Sequence, residues 1–152
     1  MSLSMQETFD TVVTHLHTQG SPAEITKVND YGDVRRVCLY LTEDGRKCAI
    51  GCLIPDGHTA QRCDGDVEGL LEEHPALFDV LVPFDGREES GLVVRIDEAP
   101  TPTGVLLLDR LQQLHDAEGN WRDNGFAGWA RAREIARRHH LNTSVVDALE
   151  AL

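Results

Sequence analysis

Arg36-Val-Cys-Leu-Tyr-Leu41, then Glu43-Asp-Gly45, then Lys47-Cys-Ala-Ile-Gly-Cys-Leu-Ile54 is the stretch that decides the fold class. A run of strand-forming residues, a glycine turn and a second apolar run closed by Pro55-Asp-Gly57 predict a β-hairpin. Around it the chain reads as helices, so the expectation is an α+β fold: a helix-dominated single domain with a small antiparallel β-hairpin. Two turns fit the residues. A two-residue Asp44-Gly45 loop sets Val37, Leu39 and Leu41 opposite Cys52, Ile50 and Cys48, with Cys38 on the other face. A three-residue loop with a glycine bulge brings Cys38, Cys48 and Cys52 to one face. In both, Gly51 leaves room for another element to come close.

Outward from the hairpin, helical periodicity dominates. Ser4-Met-Gln-Glu7 fits a capping box, and Phe9, Val12, Val13 and Leu16 follow on one face until Gly20 and Pro22 stop the helix. Residues 67–82 read as one or two short helices broken near Pro75. Leu92–Ile96 reads as a lone strand, and Glu98–Pro102 as exposed loop. Val105–Ala117 forms a helix with Leu107, Leu108, Leu111 and Leu114 along one side. Phe126–His140 forms another, with Phe126, Trp129, Ala132, Ile135 and Ala136 inward and four arginines outward. A last short helix begins near Ser144 and carries Val145, Val146, Leu149 and Leu152.

The chain has 152 residues, 41% of them hydrophobic, and a formal net charge of −12. That length suits one domain, here residues 4–152, able to bury roughly 70% of its unfolded surface. The acid is not spread evenly. Residues 1–60 carry −3, residues 61–100 carry −8, and residues 101–152 carry −1. Residues 85–101 read as an acidic loop insertion. This balance argues against a phosphate backbone or an anionic membrane as partner. No apolar run approaches a membrane span. Four cysteines and an N-terminus without a signal peptide's basic start point to reduced thiols and a cytoplasmic setting.

The string Thr42-Glu-Asp-Gly-Arg-Lys-Cys-Ala-Ile-Gly-Cys-Leu-Ile-Pro-Asp56, with Leu111-Gln-Gln-Leu-His-Asp116 and Trp121 further on, resembles small uncharacterised phage and bacterial proteins. Those share a "DGxKCAxGxLIPD" hairpin and a later "LQxxHD" helix. The resemblance covers about half the chain and implies this architecture and a phage or prophage origin. It implies no activity and no functional residues.

Three constellations carry potential chemistry. Cys48, Cys52, His58 and Cys63 lie close enough in sequence, with Cys38 nearby, to share a zinc ion, the one cofactor this chain suggests. They lack a C-x-x-C knuckle, and small thiols equally serve as core residues. His115-Asp116 on a helix, with His58, His74, Asp109 and Asp147 elsewhere, has the ligand types of a metal-dependent phosphohydrolase. A histidine at the edge of a leucine stripe also needs only a polar partner. Residues 126–149 pattern like a helix-turn-helix, but the second helix offers no lysine or arginine to a base or phosphate. No catalytic nucleophile motif and no phosphate loop occur, so the reading leans away from an enzyme. What remains is a protein-interaction module whose acidic centre suits a basic protein partner.

Overall fold

In a computed structural model of the chain, residues 3–62, 66–83, 93–96 and 99–152 are described. Helix α1 spans Met5–Gln19 and opens with the expected capping box: Ser4 accepts from the Glu7 amide, and the Glu7 carboxylate accepts from the Ser4 amide. Gly20 ends it at φ 74°, its N–H donating to the Leu16 carbonyl at 3.1 Å. Phe9, Val12, Val13 and Leu16 are fully buried.

The hairpin is not where the opening stretch places it. Strand β1 (Glu24–Val28) pairs antiparallel with β2 (Val34–Cys38), with Val28 opposite Val34 and Glu24 opposite Cys38. Asn29 builds the turn. Its side-chain oxygen accepts from the amides of Tyr31 and Asp33, both at 2.9 Å, while Gly32 takes φ 82°. The glycine turn at Thr42–Gly45 also forms, closed by Gly45 N–H to Thr42 carbonyl at 3.0 Å, but no ladder follows it. The reason is tertiary. The Lys47 amide donates to Gln19 Oε1 at 2.7 Å, and its carbonyl accepts from the side chains of Gln19 and His15 on α1. With Lys47 held by α1, the chain coils into a 3-10 turn at Gly51–Leu53, where the Cys52 amide reaches the Cys48 carbonyl at 3.1 Å. The four-residue spacing of Cys48 and Cys52 is thus that of a helical turn, not of one strand face.

Asp66 caps α2 (Val67–Glu73) by accepting from the Gly69 amide at 2.7 Å. A 3-10 turn at Pro75–Leu77 leads into α3 (Phe78–Leu81), the break at Pro75 that the sequence anticipates. Strand β3 (Val93–Ile96) is not alone: it pairs with β4 (Ala99–Pro102), inside the stretch read as loop. Residues 84–92, 97 and 98 of the acidic stretch lie outside the described residues.

Helix α4 (Thr103–Asp116) is the central element. Leu107, Leu111 and Leu114 pack with α1 and with Ala132, Ile135, Ala136 and Val146 of the C-terminal helices, while Val105 and Leu108 join Tyr40, Cys48, Ile50, Leu70 and Leu81. The leucine stripe therefore divides, with Leu108 serving the second cluster. A two-residue pairing of β5 (Trp121–Arg122) with β6 (Gly125–Phe126) precedes α5 (Trp129–Arg138), so Phe126 sits just outside the helix predicted to contain it. Helix α6 (Ser144–Glu150) buries Val146. The fold is α+β and helix-dominated; the described strands form two-stranded antiparallel sheets. No described helix is long and apolar enough to cross a membrane.

Candidate functional site

At the root of the β1–β2 hairpin, Cys38, His115 and Asp116 place one ligand atom each within 4.8 Å of one another, the one such group of three among the described residues. The helical geometry of α4 puts His115 inward and its neighbour Asp116 outward, the imidazole fully buried and the carboxylate side chain 43% exposed. Ala23, the residue before β1, donates its amide to His115 Nε2 at 2.9 Å. A backbone amide can only donate, so Nε2 is the acceptor and the ring proton sits on Nδ1. Nδ1–H then donates to Asp116 Oδ1 at 2.8 Å. Burial opposes ionisation of Asp116, but hydrogen bonds from His115, Cys38 and Gln112 outweigh it and hold the carboxyl below its ordinary range. The Gln112 side-chain oxygen Oε1 meanwhile accepts from the Ile50 amide, and Trp121 Nε1–H donates to the backbone carbonyl of His115 at 2.7 Å.

This donor set does not fit a metal. Nε2 is blocked by the Ala23 amide. A metal on Nδ1 would move the ring proton to Nε2, leaving two donors facing each other in a buried site. The phosphohydrolase reading of His115 and Asp116 loses its ligand on these grounds. Asp147 is engaged with Arg133 at 3.1 Å, and His58 and His74 meet edge to face with ring centroids 5.5 Å apart. The constellation is a polar lock that ties the hairpin root to the end of α4 and to Trp121.

The cysteines separate into different surroundings. Cys48 packs in the cluster with Ile50 and Leu108, whereas Cys52 is half-buried against the cluster containing Leu111 and Leu114. Cys48 Sγ accepts from the Gly51 amide, and the Cys52 thiol donates to the Ala49 carbonyl at 3.0 Å. Burial pushes both thiols up to about 12, so neither offers a thiolate at neutral pH. His58 Nδ1 accepts from the Ala60 amide at 3.0 Å, which opposes the Nδ1–H tautomer that metal binding through Nε2 requires. Cys63 lies outside the described residues.

Helices α5 and α6 form a helical pair whose connecting turn places His140 at φ 56°, the left-handed position that a helix-turn-helix commonly gives to glycine. The outer face of α6 is acidic. Arg133 spends its guanidinium on Asp147 and Glu150, the latter at 2.6 Å, and Gln6 of α1 clasps the Asn142 backbone through both its amide atoms. The pair closes the core and presents carboxylates where a recognition helix would present cations.

Residues 66–83 hold five carboxylates and no lysine or arginine. Asp66, Glu68, Glu72, Glu73 and Asp79 are all exposed, and in the same stretch Phe78 is 43% and Val80 38% exposed. The acidity was legible in the sequence; the outward apolar pair was not, because a four-residue helix has too few turns to show a face. Compared with known proteins, the chain matches no family model, no curated protein and no solved structure.

Proposed function

We propose that this chain is a non-enzymatic protein-interaction module of phage or prophage character, acting in the cytoplasm and binding a basic protein partner through the α2–α3 face. The carrying observation is that residues 66–83 leave Phe78 and Val80 exposed in a stretch with five exposed carboxylates and no lysine or arginine. Acidic residues alone are ordinary solvated surface. An aromatic ring and a β-branched side chain left in water among them favour a partner that brings both cations and apolar contact. Arginine suits such a face better than lysine, because a guanidinium pairs carboxylates bidentately and stacks on a ring. The raised thiols of Cys48 and Cys52 and the locked state of His115 support a binding role over catalysis.

The test is a pair of synthetic amphipathic peptides, one of arginine and leucine, one of lysine and leucine, titrated against ¹⁵N-labelled protein. Shifts confined to Glu68, Glu72, Phe78, Asp79 and Val80, larger for the arginine peptide and lost in Glu68→Lys with Phe78→Ser, are the expected result. Shifts spread over the whole surface, or centred elsewhere, would overturn the assignment of this face.

A further inference from the structure

Asp109 and Arg110 are neighbours on α4, about 100° apart around the helix axis, and each has further charges of its own sign nearby as well as its neighbour's opposite charge. Burial and the negative charge of Asp66 at the start of α2 push the Asp109 carboxyl up. Burial and the positive charges of Arg138 and Arg131 on α5 push the Arg110 guanidinium down. The basic flank is built by spacing: Arg131, Glu134 and Arg138 fall at i, i+3 and i+7 on one helical face, and Glu134 bridges both arginines at 2.9 and 3.0 Å. Arg110 joins from α4, donating to His139 Nε2 at 2.8 Å, so His139 is neutral there and takes no part of the charge. Three guanidiniums with two carboxylates, Glu134 and Asp109, leave a local excess of one positive charge in a chain whose total is −12. Exposed Arg137 lies on the same helix. No lysine occurs after Lys47, so the whole flank is arginine.

Like charges gathered on both sides of one helix are unfavourable in an isolated chain, and each group is the complement of the other. We propose that the partner of the α2–α3 face is a second copy of this chain, which meets it with the arginine-rich flank of α4 and α5, Arg110, Arg131 and Arg138. This rests on the reading of α2–α3 as a binding face and names its occupant. Because the two flanks are different patches, the contact is heterologous, head to tail, rather than two-fold. Phe78 supplies a ring on which an incoming guanidinium can stack, and the exposed carboxylates of Glu68 and Glu72 supply its counter-charges.

Two electrostatic effects oppose each other in such a contact. Two chains of −12 repel at long range, while the facing flanks attract only when near contact. At physiological salt the screening length is about 8 Å, so repulsion between chain centres is largely removed and contact pairs are not. At about 0.01 M salt it reaches roughly 30 Å and the net charge dominates; at about 1 M it falls to roughly 3 Å and the pairs weaken as well. Self-association should therefore peak near physiological ionic strength. A neutral apolar interface would show no such maximum.

The experiment is sedimentation equilibrium of the intact chain at 0.01, 0.15 and 1 M NaCl, with two charge-reversed variants. One is Arg131→Glu with Arg138→Glu, the other Glu68→Lys with Glu72→Lys; all four positions are surface-exposed or partly so, and thermal unfolding checks that each variant folds. Association strongest at 0.15 M, weakened at least tenfold in each variant alone and restored when the two variants are mixed, is the expected outcome. The milder Arg131→Gln with Arg138→Gln should show an intermediate loss. A chain that stays monomeric up to about 1 mM, or association indifferent to both reversals, would overturn the second-copy assignment. Peptide binding at α2–α3 in the same monomeric protein would leave the acidic face standing and show that its partner is a different protein.

Discussion

The amide of Ala23 and the Nε2 of His115, 92 residues apart in sequence, form a fully buried hydrogen bond of 2.9 Å. One bond settles three questions at once. It fixes the imidazole tautomer, satisfies an amide that β1 pairing leaves unused, and converts a histidine–aspartate pair with the look of a metal site into the anchor of the hairpin.

Replacing His115 by phenylalanine keeps most of the volume and removes the acceptor. The Ala23 amide would be left buried without a partner, a loss expected to cost about 1–3 kcal/mol. Equilibrium urea unfolding of His115→Phe measures this. Added zinc should leave the parent's midpoint unchanged; a zinc-dependent rise that disappears in His115→Phe would restore the metal reading.

Gly51 is packed against Tyr40. A β-carbon at position 51 would stand 1.9 Å from the Tyr40 carbonyl oxygen, which is backbone and has no rotamer to yield. Gly51→Ala is expected to destabilise by about 3 kcal/mol, the upper range for overpacking. Gly57, where an added carbon meets nothing but φ is 81°, should show the smaller effect of conformational strain alone. Equal losses at the two sites would contradict the packing account.

The thiols of Cys48 and Cys52, held at about 12 by burial, should behave as small core side chains. Cys52→Ala is expected to cost about 1 kcal/mol and Cys48→Ala somewhat more, in proportion to its fuller burial. In the native protein at pH 8, a disulfide reagent should leave Cys48 unlabelled until urea opens the core. Chelator should shift neither the parent nor the variants; unfolding by chelator in the parent alone would return a structural metal to these cysteines.

Acid should loosen the junction of α1 with the Lys47 turn. Burial lowers the pKa of His15 from 6.5, overriding the Lys47 carbonyl that accepts from its ring at 2.8 Å. The unfolded chain therefore takes up this proton at a higher pH than the folded one. The contribution is complete above about 6.5, the unperturbed histidine value, and is lost as pH falls below it. Asp116 acts in the same direction further down, since its lowered folded pKa contributes stability that disappears only as pH falls through the carboxylate range. Thermal midpoints of the parent should drop from pH 7.5 to 5.5, and His15→Gln should show a shallower drop. A steeper drop in the variant would reverse the sign assigned to His15.

Local chemistry alone determined the helices, the capping box at Ser4, the glycine stop at Gly20, the break at Pro75 and the α+β class. Each depends on residues within one or two turns of each other, so periodicity and capping preferences read them directly. The hairpin was a different matter. Thr42–Gly45 does turn, but a turn specifies pairing only if the flanking backbone is free, and Gln19 and His15 of α1 take Lys47 from the ladder. The Asn29 and Gly32 turn that replaced it was present in the sequence and carried comparable local chemistry. Which of two competent turns became a sheet was decided by contacts from a distant helix. The same holds for the site residues. His115 and Asp116 were visible as candidates, yet whether they bind metal or lock a hairpin depended on one amide donor, Ala23, whose backbone identity is invisible in any residue type. Charge totals were legible; the grouping of Arg110 with Arg131 and Arg138, and of Asp109 with Asp66, arose only when α4 packed between α2 and α5.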